Sequence, residues 1–452
     1  MKKFRLNKAM IAVILTLAWP TMLEQLLHTA VQYVDMFMVG SLGTQATAAV
    51  GATTTVNWLV GSAISALGVG FLGYIAQSLG AGNSLRARAA AGQAVLTTLV
   101  TGTVFTVLTV AVSPVLPIWM QVDPDIRGLA STYFLILYLP MLPRTASTMF
   151  GTVLRAAGDT KTPMKVGLLT NLINVALNFF LIYPTRQLWG ITVPGAGWGV
   201  AGAAAASAFS VLIGGVYITV VLWRHPVISP AKQRLLPDWQ ILKPCLQVAV
   251  PNMLQRFGTS LGYVAFAGMV NSIGEVATAA HTIANTVESA FYIPGYGMQA
   301  AAATLAGNAY GAKDGKRLKN IGAMFIPLVI GLMVISGGLL LAFARPLVDI
   351  FSNEAQVIDL GTRVLWMVAL SEPFYGVPII VEGMMQGVGR TKLPFVYNII
   401  GMWGVRIVGT FICTQLLDMG LVSAWACMIA HNLLLFVLYM FTYKKGHWNP
   451  LK

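Results

Sequence analysis

Charge is scarce in this sequence. Asp, Glu, Lys and Arg make up 10% of its 452 residues, against 56% hydrophobic ones. A soluble domain carries about 25% charged residues. So few charges cannot cover a water-facing surface of this size, which excludes an ordinary soluble enzyme and a disordered chain alike. Cysteine is scarce too: Cys245, Cys413 and Cys427 are an odd number set in apolar stretches, and no disulfide framework follows. The five histidines show no metal-ligand spacing, and there is neither a nucleophile elbow nor a phosphate loop. No catalytic activity and no cofactor are expected. Acidic residues are outnumbered 15 to 29, a net charge of +14. In a soluble protein this excess points to nucleic acid. In a chain this apolar, the question is which membrane face holds the Lys and Arg, and no nucleic-acid partner is expected.

What the chain has in quantity is long apolar runs. A membrane-crossing helix needs about 20 such residues. Twelve candidates run over 10–39, 46–76, 89–113, 128–150, 164–183, 195–222, 243–271, 278–305, 318–345, 357–381, 393–416 and 418–443. The first is read as a spanning helix, because no cleavage site and soluble domain follow it. Basic residues gather in every second connection: Lys2, Lys3, Arg5 and Lys8; Arg86 and Arg88; Arg155, Lys161 and Lys165; Arg224, Lys232 and Arg234; Lys313, Lys316, Arg317 and Lys319; Arg390 and Lys392; Lys444 and Lys445. The remaining connections are short or acidic. By the positive-inside rule both termini are expected in the cytoplasm.

An offset of 231 relates the two halves. Pro20-Thr-Met-Leu recurs as Pro251-Asn-Met-Leu, Ala46-Thr-Ala-Ala as Ala277-Thr-Ala-Ala, Gly80-Ala as Gly311-Ala, and Gly158-Asp-Thr-Lys-Thr-Pro as Gly389-Arg-Thr-Lys-Leu-Pro. One register held this far marks a duplication. Six spans per half give two parallel repeats, a plan suited to alternating access. The expected division is an N-lobe over 1–223, a cytoplasmic linker over 224–242 with Pro226, Pro230 and Pro237, and a C-lobe over 243–452.

These residues resemble a family. Pro20 with Val34-Asp35 and Met38-Val-Gly, Arg155-Ala-Ala-Gly-Asp-Thr after the fourth span, and Ala279-Ala-His281 with Gly311-Ala in the second half are similar to the multidrug and toxic compound extrusion (MATE) family, over nearly the whole chain. The resemblance implies an all-α polytopic membrane protein of twelve transmembrane helices in two pseudo-symmetric six-helix lobes around a central cavity. It implies export of bulky, often cationic organic compounds, driven by inward H+ or Na+.

Ionisable groups inside a membrane are costly and point to function. Glu24, His28 and Asp35 share a face of the first span, with Gln32 beside them. No Lys or Arg is expected at matching depth in the first six spans, Arg144 and Arg155 being placed toward the cytoplasmic end of the fourth. A buried carboxylate without a basic partner binds a proton or metal cation readily. By the resemblance, Asp35 is the coupling residue, joined by Asn174 and Asn178 of the fifth span and Ser207 of the sixth. Where some relatives have a second aspartate this chain has Asn178, which favours H+ over Na+, although Na+ at Asp35 stays open. Asn174 and Asn178 have a plainer reading as interhelical hydrogen-bonding residues. Glu24 and His28 lie outside the family pattern and are either a further proton relay or bystanders. Pro20 is the expected hinge of the first helix.

In the second half, Arg256, Glu288, Glu372 and Arg406 fall near mid-depth, and two acids with two bases are expected to neutralise one another. His281, Asn285 and Glu288 share a face of the eighth span and keep a proton- or substrate-responsive site open. Another branch of the family has acids where this chain has Thr259 and Tyr375, a departure that suggests the DinF-like branch. Tyr33, Met36, Trp58 and Tyr292 are candidates for an adaptable substrate surface. The expected protein is a monomeric multi-pass transporter of the plasma (inner) membrane, its partners the lipid bilayer and small drug-like molecules. The alternatives are Na+-coupled antiport by the same fold and a lipid-linked precursor flippase, which would favour a strongly cationic cavity.

Overall fold

A computed structural model describes residues 8–120, 122–188 and 190–452. Lys2, Lys3 and Arg5 of the basic N-terminal cluster lie outside them. The first half runs α1 (Lys8–Gly40), α2 (Thr44–Gly80), α3 (Ser84–Val112), the single turn α4 (Leu116–Trp119), α5 (Arg127–Tyr138), α6 (Met141–Ala156), α7 (Lys161–Leu181), strands β1 (Pro184–Leu188) and β2 (Ile191–Ala196), and α8 (Gly199–Arg224). The second runs α9 (Trp239–Asn271), α10 (Glu275–Gly311), α11 (Gly315–Asp349), α12 (Ala355–Ala369), α13 (Glu372–Gly387), α14 (Lys392–Ile399), α15 (Val408–Phe411) and α16 (Leu421–Lys445). Wide π-helical turns over Ile400–Ile407 and Ile412–Leu416 flank α15, so Lys392–Leu416 forms one irregular span.

Among the described residues, twelve helical segments thus stand where twelve spans were expected. Eight are long and apolar enough to cross a membrane. Two more, the fourth and tenth, are broken: α5 and α6 meet at 50°, α12 and α13 at 55°. Pro140 lies at the first break and Pro373 at the second, where a ring in place of an N–H interrupts the helical ladder. The remaining two, α9 and α10, have 33 and 37 residues and are long enough to span but carry more polar side chains. The antiparallel hairpin β1–β2, with Leu188 opposite Ile191, was not foreseen between the fifth and sixth spans. Arg186 caps its base by lying over the rings of Phe179 and Tyr183, at 4.4 and 4.1 Å.

The repeat survives in the backbone. Adding 231 to the bounds of α1, α2 and α6 gives the bounds of α9, α10 and α13. The chain turns with positive φ at Gly43 (112°) and Gly274 (139°), and again at Gly158 (85°) and Gly389 (83°). Gly82 (72°) is matched by Lys313 (53°), a non-glycine residue kept left-handed at the same turn.

Contacts divide the chain into two units. One, here the N-terminal unit, is Leu26–Phe71 with Ser84–Lys243; the other, the C-terminal unit, is the described part of Met1–Gln25 with Leu72–Asn83 and Pro244–Lys452. The start of α1 and the end of α2 therefore group with the second half of the sequence rather than with 1–223. Small residues are the reason. A Cβ on Gly73 would stand 2.9 Å from the Gln386 carbonyl oxygen, and one on Gly307 2.8 Å from Ala76 Cβ. Backbones this close let Gln77 Nε2 donate to the Gly387 carbonyl at 2.8 Å. The core of this unit includes Ile14, Ala18, Phe325, Met333, Ile380 and Met384. In the N-terminal unit Ile64, Phe134, Tyr138, Met141 and Ala204 pack together. The connection after α8 is held by α3: Arg88 donates to the carbonyls of Pro226 and Val227, each at 2.9 Å, and Gln93 bonds Leu236 O and Asp238 N at 2.8 and 3.0 Å.

Candidate functional site

The N-terminal unit gathers the expected coupling residues from three helices. Glycines set α8 against its neighbours: a Cβ on Gly202 would meet the Leu181 carbonyl at 2.5 Å, and one on Gly215 the Pro143 carbonyl at 2.5 Å. That approach brings Ser207 of α8 to Asn174 of α7. Asn178, one turn further along α7, is fully buried and donates from Nδ2 to Asp35 Oδ1 at 2.5 Å. The Asn174 amide is satisfied with its nitrogen toward the carboxylate. It then donates to Asp35 Oδ1 at 2.8 Å and Oδ2 at 3.3 Å, while its oxygen accepts from Ser207 Oγ at 3.0 Å. Two amide N–H groups thus converge on one carboxylate. Asn178 Oδ1 is buried and has no hydrogen-bond partner.

Arg144 is not where the sequence placed it. The fourth span runs on to Ala156, which puts Arg144 near its middle, just past the Pro140 break. It does not pair with Asp35. Its Nη2 donates to the Leu137 carbonyl at 3.2 Å, and its guanidinium lies 5.6 Å from the Tyr138 ring centre. Tyr133 is within electrostatic reach of both Asp35 and Arg144, and the Tyr138 hydroxyl donates to Asn57 Oδ1. Tyr133, Tyr138 and Asn57 carried no sequence signal.

Along α1, Glu24 is half-buried and His28 exposed. Pro20 lies inside the helix and is buried. Next to it, Thr21 Oγ1 donates to Gly297 O at 2.7 Å and to Ala18 O at 2.8 Å. Tyr33, Met36 and Trp58 are exposed, and Tyr292 is half-buried.

The charges of the C-terminal unit do not neutralise one another as expected. Among the described residues no ion pair within 4.0 Å joins Glu288 or Glu372 to Arg256 or Arg406. Arg406 instead lies over the rings of Phe266 and Tyr263, at 4.2 and 4.7 Å. Arg256 Nε donates to Asn252 Oδ1 at 2.9 Å. Glu372 is 1% exposed and neither carboxylate oxygen has a hydrogen-bond partner. His281 stacks edgewise between Phe266 and Trp425, Asn285 is exposed, and Thr259 bonds back to the Gln255 carbonyl at 2.7 Å. A third acid was missed. Glu382 accepts from Gln255, Gln386, Asn398 and Tyr439 at 3.0 to 3.1 Å, four neutral donors that satisfy both oxygens. Its signal was a single Glu in the apolar run between Val377 and Met385.

The MatE family profile matches residues 20–180 and 251–412. A probable multidrug resistance protein NorM of Thermotoga maritima is 28% identical over 436 residues, 96% of this chain and 92% of that protein. A crystal structure of a MATE protein in the straight conformation superposes with a TM-score of 0.89 at 22% identity, covering 97% of this chain and 96% of the other. A MOP superfamily transporter from Pyrococcus furiosus, whose binding pocket is described as reversed in polarity, gives 0.88 at 22% identity over the same shares.

Proposed function

This chain belongs to the MatE family, and from that premise we propose that it exports bulky, often cationic organic compounds in exchange for H+, coupled through Asp35. It is a multi-pass membrane transporter and not an enzyme, with the twelve-helix fold of the solved MATE transporters. We place it in the plasma (inner) membrane with both termini cytoplasmic, following the alternation of its basic connections.

The observation that carries the proton reading is the polarity of the cluster. Asn178 Nδ2 donates to Asp35, and the Asn174 amide finds partners for both its atoms when its nitrogen also faces the carboxylate. Donors so placed stabilise the ionised carboxylate. A proton on Asp35 removes acceptor capacity that Asn174 and Asn178 use, and α1 is then released from α7. Pro20 lacks the N–H that would bond the Thr16 carbonyl, so the helix bends there at least cost. The base of α1 stays fixed through Thr21 and Gly297, and the part beyond Gln25 moves. Solved MATE structures are described in straight and bent conformations, which agrees with such a step. His28 lies in that moving part of α1 and Glu24 just before it, and the two are proposed as the proton path to Asp35.

One observation favours Na+ as a second reading: the unpartnered Asn178 Oδ1 is an oxygen ligand beside a carboxylate. Ethidium efflux in everted vesicles, driven by an imposed pH gradient or an imposed Na+ gradient, separates the two. The proton reading expects drive by the pH gradient alone. Drive by Na+ alone contradicts it.

A further inference from the structure

We propose that Tyr183 is a positioning residue of the exchange cycle: it latches the far end of α1 to the junction of α7 and β1 and sets how readily α1 leaves α7. This rests on the reading in which protonation of Asp35 releases α1, and adds a second tether that protonation of Asp35 does not touch.

The latch is built on an orphan group of α1. A helix leaves its last four carbonyls without partners inside the helix. Here the N–H groups of Ser41, Leu42 and Gly43 go to the carbonyls of Phe37, Val39 and Gly40, at 3.1, 3.0 and 3.1 Å, and pass over that of Met38. Side chains take the Met38 carbonyl instead. Ser41 Oγ donates to it at 2.6 Å and Tyr183 Oη at 3.2 Å, and the two hydroxyls are themselves 2.8 Å apart. Tyr183 thus caps a helix end that lies 142 residues away in sequence.

Tyr183 is itself held in place. Its carbonyl accepts from Gly197 N at 2.9 Å, and those of Leu181 and Ile182 accept from Trp198 and Gly199 at 2.9 and 3.0 Å, so the junction is tied to the start of α8. A Cβ on Gly195 would stand 2.2 Å from the Tyr183 carbonyl oxygen, an approach that only glycine allows. Arg186 lies over the Tyr183 ring and restricts its rotation. Beside the hydroxyls, Met38 and Val39 of α1 pack with Ile182 and Val200 in one buried cluster. The moving part of α1 therefore has a polar attachment besides that of Asp35 to Asn174 and Asn178. A proton on Asp35 weakens one attachment and leaves the other, hydroxyls on a carbonyl, as it was. α1 departs only when both give way, so the strength of the latch sets the threshold of release.

The repeat offers an internal comparison. Met269 and Ser272 stand 231 residues on from Met38 and Ser41. Ser272 Oγ donates to the Met269 carbonyl at 2.7 Å and accepts from Gln415 Nε2 at 2.7 Å. The cap is common to the ends of α1 and α9. What differs is the side chain that completes it, a tyrosine under a guanidinium in one and a flexible amide in the other.

The test is the distance between spin labels at Phe37→Cys on α1 and Phe209→Cys on α8, positions 80% and 52% exposed, in the full chain with its native cysteines replaced by serine. Double electron–electron resonance in lipid nanodiscs separates α1 held against α7 from α1 released. At a pH where the wild type is mostly held, Tyr183→Phe, which loses only the hydroxyl, is expected to raise the released population roughly fivefold, the effect of about one hydrogen bond. Ser41→Ala, which removes the other hydroxyl, is expected to raise it too. Gln415→Ala, which removes the matching cap from α9, is expected to leave it at the wild-type value. A wild-type population in Tyr183→Phe, or in Ser41→Ala should Tyr183→Phe not fold, overturns the latch, as does an equal rise in Gln415→Ala. A wild-type distribution that ignores pH, while Tyr183→Phe still shifts it, removes the proton trigger and upholds the latch.

Discussion

Gly80 and Gly311, equivalent positions of the repeat, each press against the helix that carries the other. A Cβ on Gly80 would overlap the Asn308 carbonyl oxygen, and one on Gly311 would overlap that of Gln77. Gln77 and Asn308 are themselves 231 apart. The ends of α2 and α10 therefore cross about a local two-fold axis that passes between the glycines. Only a residue without a side chain permits carbonyls this near.

Gly80→Ala and Gly311→Ala are expected to destabilise the protein by at least about 1–3 kcal/mol, the usual cost of overpacking. Gly338 in α11 has nothing within 4 Å of an added Cβ, and Gly338→Ala is expected to be neutral or to stabilise by up to about 1 kcal/mol. Thermal unfolding midpoints of the three variants check this contrast. Equal midpoints would show that the crossing is not tight.

Gly297 fixes the base of α1. A Cβ there would stand 2.5 Å from the Met22 backbone nitrogen. Gly297→Ala is expected to lower ethidium efflux severely. Thr21→Val, which loses the hydroxyl's bonds to the Gly297 and Ala18 carbonyls, is expected to lose about 1 kcal/mol of stability and keep most activity. Efflux rates at matched expression check the order of the two.

Asn178→Asp would set a second carboxylate against Asp35. Two acids this close hold a metal cation far better than one does. We expect the variant to gain stimulation by Na+ that wild type lacks, and Asn178→Ala to lose gradient-driven efflux without gaining it. Efflux assayed with and without NaCl at fixed pH decides. Indifference of Asn178→Asp to Na+ would contradict the assigned role of the cluster.

Much of the fold was legible because it rests on apolar runs and on one repeated register. The register ends where the hairpin intervenes: α8 and α16 begin at Gly199 and Leu421, 222 apart instead of 231. The breaks at Pro140 and Pro373 were harder to place, since a span interrupted for two residues reads as continuous, and Arg144 was displaced because the fourth span runs on past residue 150 to Ala156. The Asp35, Asn174, Asn178 and Ser207 cluster was legible through the family resemblance. The charge balance of the C-terminal unit was misread because Glu382 was left out and because π-helical turns, which aim Arg406 at Phe266 and Tyr263, have no composition of their own.

The most direct test of the central claim is proton movement measured with substrate movement. Reconstituted vesicles containing a pH-sensitive dye would be loaded with ethidium, and H+ flux recorded as the substrate leaves. For wild type we expect H+ to move opposite to ethidium, and for Asp35→Asn we expect that exchange to vanish while ethidium binding persists. Full proton-coupled exchange in Asp35→Asn would contradict the account.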